Sequence, residues 1–104
     1  MASLLNEVVN IYQRGEEGVL VTLCYTNGST PRKAGAKMLV YPDGRVKGTI
    51  GGGALEFDAT KKALDVMKTK ESILWEKELI DLEMICGGEA TVYLEYLSGE
   101  SSLS

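Results

Sequence analysis

The spacing of apolar residues along the chain predicts two helices and five strands in the order α-β-β-β-α-β-β. Over residues 3–14 and again over 54–70, apolar positions recur every three or four residues, which is the spacing of one helix face. Gly15 follows the first of these segments, where a helix-ending glycine is expected. On a helical wheel the second segment places its apolar residues on one arc: Leu55, Ala59, Ala63, Val66 and Met67, widened by Phe57 and Leu64.

The other apolar runs are short and rich in β-branched residues, as strands are. These runs span residues 18–26, 36–41, 45–50, 72–80 and 89–97. The tripeptide Pro42-Asp43-Gly44 separates the second run from the third and is typical of a hairpin turn. Cys24 lies inside the first run, where we expect it to pack as a small core residue.

These segments predict a single domain over residues 1–104, with a disordered tail over residues 98–104. Because a helix separates the third strand from the fourth, one crossover connection is expected. The pattern favours an α/β fold, with α+β as the alternative, in which the helices pack on a mixed β-sheet.

Charge and cysteine content exclude several classes of protein. The net charge is −4 and no cluster of Lys and Arg forms a basic face, so we expect no nucleic-acid binding. No apolar run approaches the roughly 20 residues that span a bilayer, and none resembles a signal peptide. The two cysteines lie far apart, as is usual in a reducing compartment, so we expect a cytoplasmic protein. Histidine is absent, so any general base must be a carboxylate, a lysine or a tyrosine.

Glycines concentrate at the predicted junction between the third strand and the second helix. The run Gly48–Gly53 ends the strand and opens the helix, which would aim backbone N–H groups and the positive end of the helix dipole at one spot. Such a turn binds phosphate or another anion, so Gly51, Gly52 and Gly53 are candidate binding residues. The run is neither a Walker A loop nor the G-x-G-x-x-G fingerprint. A tight turn without a ligand is the alternative.

Three polar residues could add to such a site. Arg32 offers a planar fork suited to phosphate, and Ser29 and Lys37 could contribute a hydroxyl and a charge. Each could equally be a plain surface-loop residue.

Glu56 falls inside the apolar arc of the second helix, where an unpartnered carboxylate is costly to bury. It either orders the glycine turn around a ligand or caps the helix locally by accepting hydrogen bonds from the turn.

Cys86 is the one reactive-looking group. It precedes Gly87 and Gly88, and this leaves room around the thiol and places backbone N–H groups where they could stabilise a thiolate. The alternative is a small buried residue with no chemical role.

Five motifs in this order resemble the signatures of the XdhC/CoxI family of xanthine dehydrogenase accessory factors. They are Gly28-Ser29-Thr30-Pro31-Arg32, Gly35-Ala36-Lys37-Met38-Leu39-Val40, Asp43-Gly44-Arg45, Gly48-Thr49-Ile50-Gly51-Gly52-Gly53-Ala54-Leu55-Glu56 and Met84-Ile85-Cys86-Gly87-Gly88. The similarity covers about residues 5–97, nearly the whole chain. Ala54 stands where many members have a cysteine, and Glu83 where many have glycine. Longer members carry a second, Rossmann-like C-terminal domain, which we expect this chain to lack.

The resemblance implies a protein that binds molybdenum cofactor, as molybdopterin or its nucleotide form, and carries it rather than uses it. Its partner would be the apo form of a molybdenum hydroxylase of the xanthine dehydrogenase type, which it would help to mature. The cofactor phosphate would suit the glycine turn and Arg32, and the Cys86 thiolate would be a candidate molybdenum ligand. A sulfur donor, a separate Rossmann-domain chain and a second copy of this chain are further candidate partners.

Two alternatives stay open beside this interpretation. One is an enzyme that transfers sulfur to bound cofactor with Cys86 as the sulfur carrier. The other is a protein-interaction module that binds no cofactor.

Overall fold

The computed structural model describes residues 4–28, 35–51, 53–78 and 88–99, and its elements follow the predicted order. The helices are α1 (Leu4–Arg14) and α2 (Gly53–Thr69). The strands are β1 (Glu17–Gly28), β2 (Lys37–Val40), β3 (Val46–Gly48), β4 (Ile73–Glu78) and β5 (Gly88–Ser98). The predicted α/β class and element order are confirmed. Of the predicted disordered tail, Ser98 instead closes β5, and residues 100–104 lie outside the described residues.

The strands form one sheet in the order β3-β2-β1-β5-β4. All four described pairings are antiparallel, so the sheet is antiparallel throughout where a mixed sheet was expected. The reason lies in the crossover through α2, which joins β3 at one edge to β4 at the other. These two strands run in the same direction but never pair, because β2, β1 and β5 lie between them.

The main core lies between α2 and one face of the sheet. The five arc residues of α2 are the buried residues of this helix, as its periodicity predicted. They meet alternating residues of the strands: Val19, Val21, Leu23, Met38, Val40, Ala90, Val92 and Leu94. Leu64 packs at the margin of this core. Phe57 is 65% exposed, so it does not widen the buried arc as expected.

Helix α1 packs on the opposite face of the sheet, where it forms a smaller core. Ile11 contacts Leu39 and Leu97 there, and four partly buried residues surround them: Leu4, Val8, Leu20 and Tyr41. The helix ends as predicted, because Gly15 has φ +68° and the Glu16 N–H donates to the Ile11 carbonyl at 3.0 Å. Neither α1 nor any other helix in the described part of the chain is long and apolar enough to cross a membrane.

Cys24 is exposed, so the prediction that it packs in the core is wrong. The register between β1 and β5 shifts between Leu23 and Tyr25, which marks a β-bulge. A bulge leaves one residue without a partner on the neighbouring strand and turns its side chain away from the regular alternation. The Cys24 thiol donates a weak hydrogen bond to the carbonyl of Thr22 at 3.6 Å.

Candidate functional site

The glycine-rich segments of the sequence leave the sheet from the same end. Because neighbouring strands are antiparallel, the last residues of β1, β3 and β4 point to the end at which β2 and β5 begin. Gly48 at the end of β3 lies opposite Met38 near the start of β2, and Thr22 of β1 lies opposite Lys37. The strand ends from which three segments far apart in sequence continue therefore point to one end of the sheet.

The turn between β3 and α2 needs glycine for two physical reasons. Gly48 and Gly51 have φ values of +83° and +122°, a region that residues with a side chain rarely adopt. At Gly48 an added Cβ would also lie 2.8 Å from the Lys37 carbonyl oxygen and 3.1 Å from Leu4. The backbone path of this turn is thus fixed by tight packing at its start and by an unusual dihedral angle at its centre.

Glu56 holds this turn from the first turns of α2. Its carboxylate accepts hydrogen bonds from the Thr49 hydroxyl and from the Ile50 N–H, the latter at 3.1 Å. The Gly51 N–H in turn donates to the Thr49 hydroxyl oxygen at 3.0 Å. The half-buried Glu56 therefore has the local capping contacts that the sequence offered as one of its two roles.

The start of α2 presents its backbone to solvent. Gly53 and Ala54 are exposed, and Gly53 has φ +70°. The first N–H groups of a helix have no acceptor within the helix, and the helix dipole places partial positive charge there. This junction has the geometry that a phosphate or another small anion binds.

Lys37 lies beside the start of this junction through its backbone, but its side chain leaves β2 on the face opposite α2. It precedes Met38, which points into the core under α2, so Lys37 projects from the opposite face of β2. Its ammonium group donates to the Gly35 carbonyl at 3.5 Å.

One end of the first motif and one end of the fifth meet at the tip of a ribbon formed by β1 and β5. Gly28, which opens the first motif, lies directly opposite Gly88, which closes the last. This pair is six residues beyond Thr22, or about 20 Å of extended chain. The strand pairing therefore brings the first residue of one motif against the last residue of another that is sixty residues away in sequence.

The remaining predicted site residues lie outside the described residues: Ser29, Arg32, Gly52, Cys86 and Gly87. Their roles stay predictions. Among the described residues no group of three or more acidic or cysteine side chains could hold a metal ion.

A polar cluster that the sequence did not indicate lies at the other end of the sheet. The Tyr41 hydroxyl donates to the Glu7 carboxylate at 2.7 Å, and Lys47 contacts the same carboxylate at 3.5 Å. Burial and the bond to Glu7 raise the pKa of Tyr41 to about 12. The bond from Tyr41, and then Lys47, hold the pKa of Glu7 below its ordinary value. Arg14 and Arg45 help to line a cavity of about 210 Å³ beside this pair.

Comparison with known proteins gives a consistent set of relatives. Residues 11–76 match the profile of the XdhC and CoxI family. The chain is 33% identical over 105 residues to the molybdenum cofactor insertion chaperone PaoD of Escherichia coli, which covers 97% of this chain. It is 26% identical over 97 residues to the uncharacterized protein YqeB of the same organism, covering 88% of this chain.

A solved structure shares this fold. It is described as a xanthine dehydrogenase from Bacillus halodurans, and it superposes with a TM-score of 0.72 at 28% identity over 91% of this chain. All three relatives are much longer. The chain spans 33% of PaoD, 18% of YqeB and 30% of the Bacillus protein.

Proposed function

The chain belongs to the XdhC and CoxI family, and from this membership we propose that it binds molybdenum cofactor and delivers it to a molybdenum hydroxylase. The name of PaoD and that of the Bacillus structural neighbour support a role in the maturation of such an enzyme. The proposal covers the binding of the cofactor and its insertion into the apo-enzyme, in the cytoplasm. No chemical change of the cofactor is part of it.

The observation that carries the proposal is the turn between β3 and α2. Its glycine dihedral angles and its exposed helix start suit the phosphate of the cofactor. Glu56 acts here as a positioning residue, because its oxygens are engaged by Thr49 and Ile50 within the turn. The backbone N–H groups at the start of α2 are then the donors to phosphate.

The described residues fit the phosphate end of the cofactor. When bound, the cofactor supplies a dithiolene-held molybdenum that the recipient enzyme uses for hydroxylation. We assign the Cys86 thiolate to the metal end and Arg32 and Ser29 to the pterin and phosphate. The assignment is supported by the pairing of Gly28 with Gly88 in the sheet, because these two glycines belong to the same motifs as the three residues.

A binding titration tests the proposal. Purified protein would be titrated anaerobically with molybdenum cofactor, and pterin absorbance and fluorescence would be followed for the wild type and for Arg32→Ala, Cys86→Ala and Glu56→Ala. We expect binding near one to one, weakened by each substitution. Lys68→Ala, at the far end of α2, removes one positive charge away from the site and is the matched control, with unchanged affinity.

The outcomes separate the alternatives. If Lys68→Ala lost as much affinity for the cofactor as Arg32→Ala, the loss would result from the change in net charge and not from a contact at the site. No binding by the wild type, with binding to the apo-hydroxylase retained, would replace the proposal by a cofactor-free interaction module. A persulfide on Cys86 after incubation with a persulfide donor would assign sulfur transfer in place of simple carriage.

A further inference from the structure

Helix α1 covers only part of the sheet face that lies opposite α2. Beneath it are Leu20, Leu39 and Leu97, in the strands β1, β2 and β5. On the same face Leu74 of β4 is 64% exposed, and its partner across the pair, Tyr93 of β5, is 36% exposed. On the half of this face formed by β5 and β4, α1 therefore leaves the apolar side chains of Leu74 and Tyr93 uncovered.

A second apolar surface borders this uncovered half. Leu5, Val9 and Tyr12 follow one another at spacings of four and three residues, so they form a stripe along one side of α1. All three are exposed, Leu5 to 70%. Glu7 lies on the other side of the helix, where it bonds to Tyr41 after β2 and to Lys47 of β3. The stripe therefore faces away from β2 and β3, toward β5 and β4.

The two surfaces form an open groove, with the stripe of α1 as its wall and Leu74 and Tyr93 as its floor. These five residues are five of the seven large apolar side chains that are exposed in the described part of the chain. Single exposed apolar residues are ordinary on a protein surface, but a contiguous set of them marks an interaction site. A helix could lie in this groove, with one side against the stripe of α1 and the other against Leu74 and Tyr93.

The charged residues that border the groove are carboxylates on its floor. Glu76 follows Leu74 by two residues and Glu95 follows Tyr93 by two, so both carboxylates lie on the floor side of the sheet. Neither forms an ion pair with another described residue. The wall carries no charge along its stripe. The groove is thus apolar in the middle and acidic along the sheet.

From this arrangement we propose that the open groove binds an amphipathic helix of a partner protein, whose apolar face is bordered by lysines or arginines. The apolar face would cover Leu74, Tyr93 and the stripe of α1, and the basic border would pair with Glu76 and Glu95. A second copy of this acidic chain fits less well, since it would bring more carboxylates to the same surface. This proposal goes beyond cofactor binding and does not depend on it.

Two designed peptides of about 18 residues test the groove, because isolated helices shorter than about 12–15 residues are marginal in water. Both carry leucines on one face; the first borders that face with lysines and the second with glutamates. Fluorescence anisotropy with the full chain should show the lysine peptide binding about tenfold tighter or more. Leu74→Gln or Leu5→Gln should weaken it by about tenfold, equivalent to about 1.4 kcal/mol.

Matched controls decide whether the effect belongs to the groove. Phe57→Gln removes an apolar side chain of nearly equal exposure (65%) on the other side of the molecule and should leave peptide affinity unchanged. The double variant Glu76→Gln/Glu95→Gln should reduce the preference for lysine over glutamate, whereas Asp65→Asn/Glu71→Gln, elsewhere on the surface, should not. Circular dichroism and thermal midpoints would confirm that each variant is folded.

Three results would overturn the proposal. One is equal affinity for the two peptides, and another is an affinity that Phe57→Gln lowers as much as Leu74→Gln does. The third is a concentration-dependent dimer in sedimentation that Leu74→Gln dissociates, because the occupant of the groove would then be a second copy of the chain.

Discussion

The Thr49 hydroxyl donates to the Glu56 carboxylate, so the turn between β3 and α2 is held by the helix that follows it. The carboxylate also accepts from the Ile50 N–H, and it lies in the part of α2 where the helix dipole favours a negative charge. Turn and helix start therefore form one hydrogen-bonded unit. Any ligand at this junction meets a backbone whose N–H directions are fixed before binding.

Removal of this carboxylate should destabilise the protein. We expect Glu56→Ala to lower the free energy of unfolding by about 1–3 kcal/mol, because two donors of the turn lose a charged acceptor. Glu56→Gln should cost less, since the amide oxygen can still accept. Urea unfolding measures the change, with Asp65→Ala on the exposed side of α2 as the control. A Glu56→Ala variant no less stable than Asp65→Ala would show that the turn does not need this contact.

Gly48→Ala should destabilise the protein more than an alanine substitution at another glycine with positive φ. Gly44 has φ +92° with nothing within 4 Å of an added Cβ, so Gly44→Ala meets only the dihedral cost, about 1 kcal/mol. Gly48 has a similar φ of +83°, and its Cβ would also approach the Lys37 carbonyl to 2.8 Å. We expect Gly48→Ala to cost at least about 1 kcal/mol more than Gly44→Ala in thermal or urea unfolding. Equal costs would mean that β2 and β3 shift apart freely.

The parts of the fold that depend on local spacing could be predicted from the sequence. The five buried residues of α2 follow from the helical period alone, and Glu56 stands out because it interrupts that period. The turn at Pro42–Gly44 is likewise local: the Tyr41 and Arg45 backbones bond across it at 2.9 Å, and Gly44 takes positive φ. Each of these features requires information from only a few neighbouring residues.

The parts of the fold that depend on pairing between distant segments could not be predicted from the sequence. The exposure of Cys24 results from a register shift against β5, a strand more than sixty residues away along the sequence. The contact between Tyr41 and Glu7 joins residues 34 apart, and neither carries a local signal. The meeting of Gly28 with Gly88 could not be predicted either, since periodicity does not say which strands pair.

The stability of the protein in alkali should depend on Tyr41. Its pKa is raised from 10.0 to about 12 in the folded state, chiefly by burial and then by Glu7. A raised pKa gives stability that is complete below pH 10 and is lost as the pH rises toward 12. The stability of the wild type relative to Tyr41→Phe should therefore fall by roughly 1–2 kcal/mol over that window. In a Glu7→Gln background the fall should shrink; a difference that stays constant with pH would contradict the assignment.

The exposed position of Cys24 predicts how fast its thiol reacts with a reagent in the native protein. In a Cys86→Ala variant Cys24 is the only thiol, and its place at the bulge of β1 leaves it open to solvent. An aromatic disulfide reagent should therefore modify it in the native protein about as fast as in urea. The matched control moves the thiol one residue back, in Leu23→Cys/Cys24→Ala/Cys86→Ala, because Leu23 is fully buried. There the reaction should require opening of the core and slow by a factor of about 100 or more, as expected for a group protected by structural stability. Similar rates at the two positions would mean that β1 has no bulge at Cys24 and that this part of the strand alternates differently.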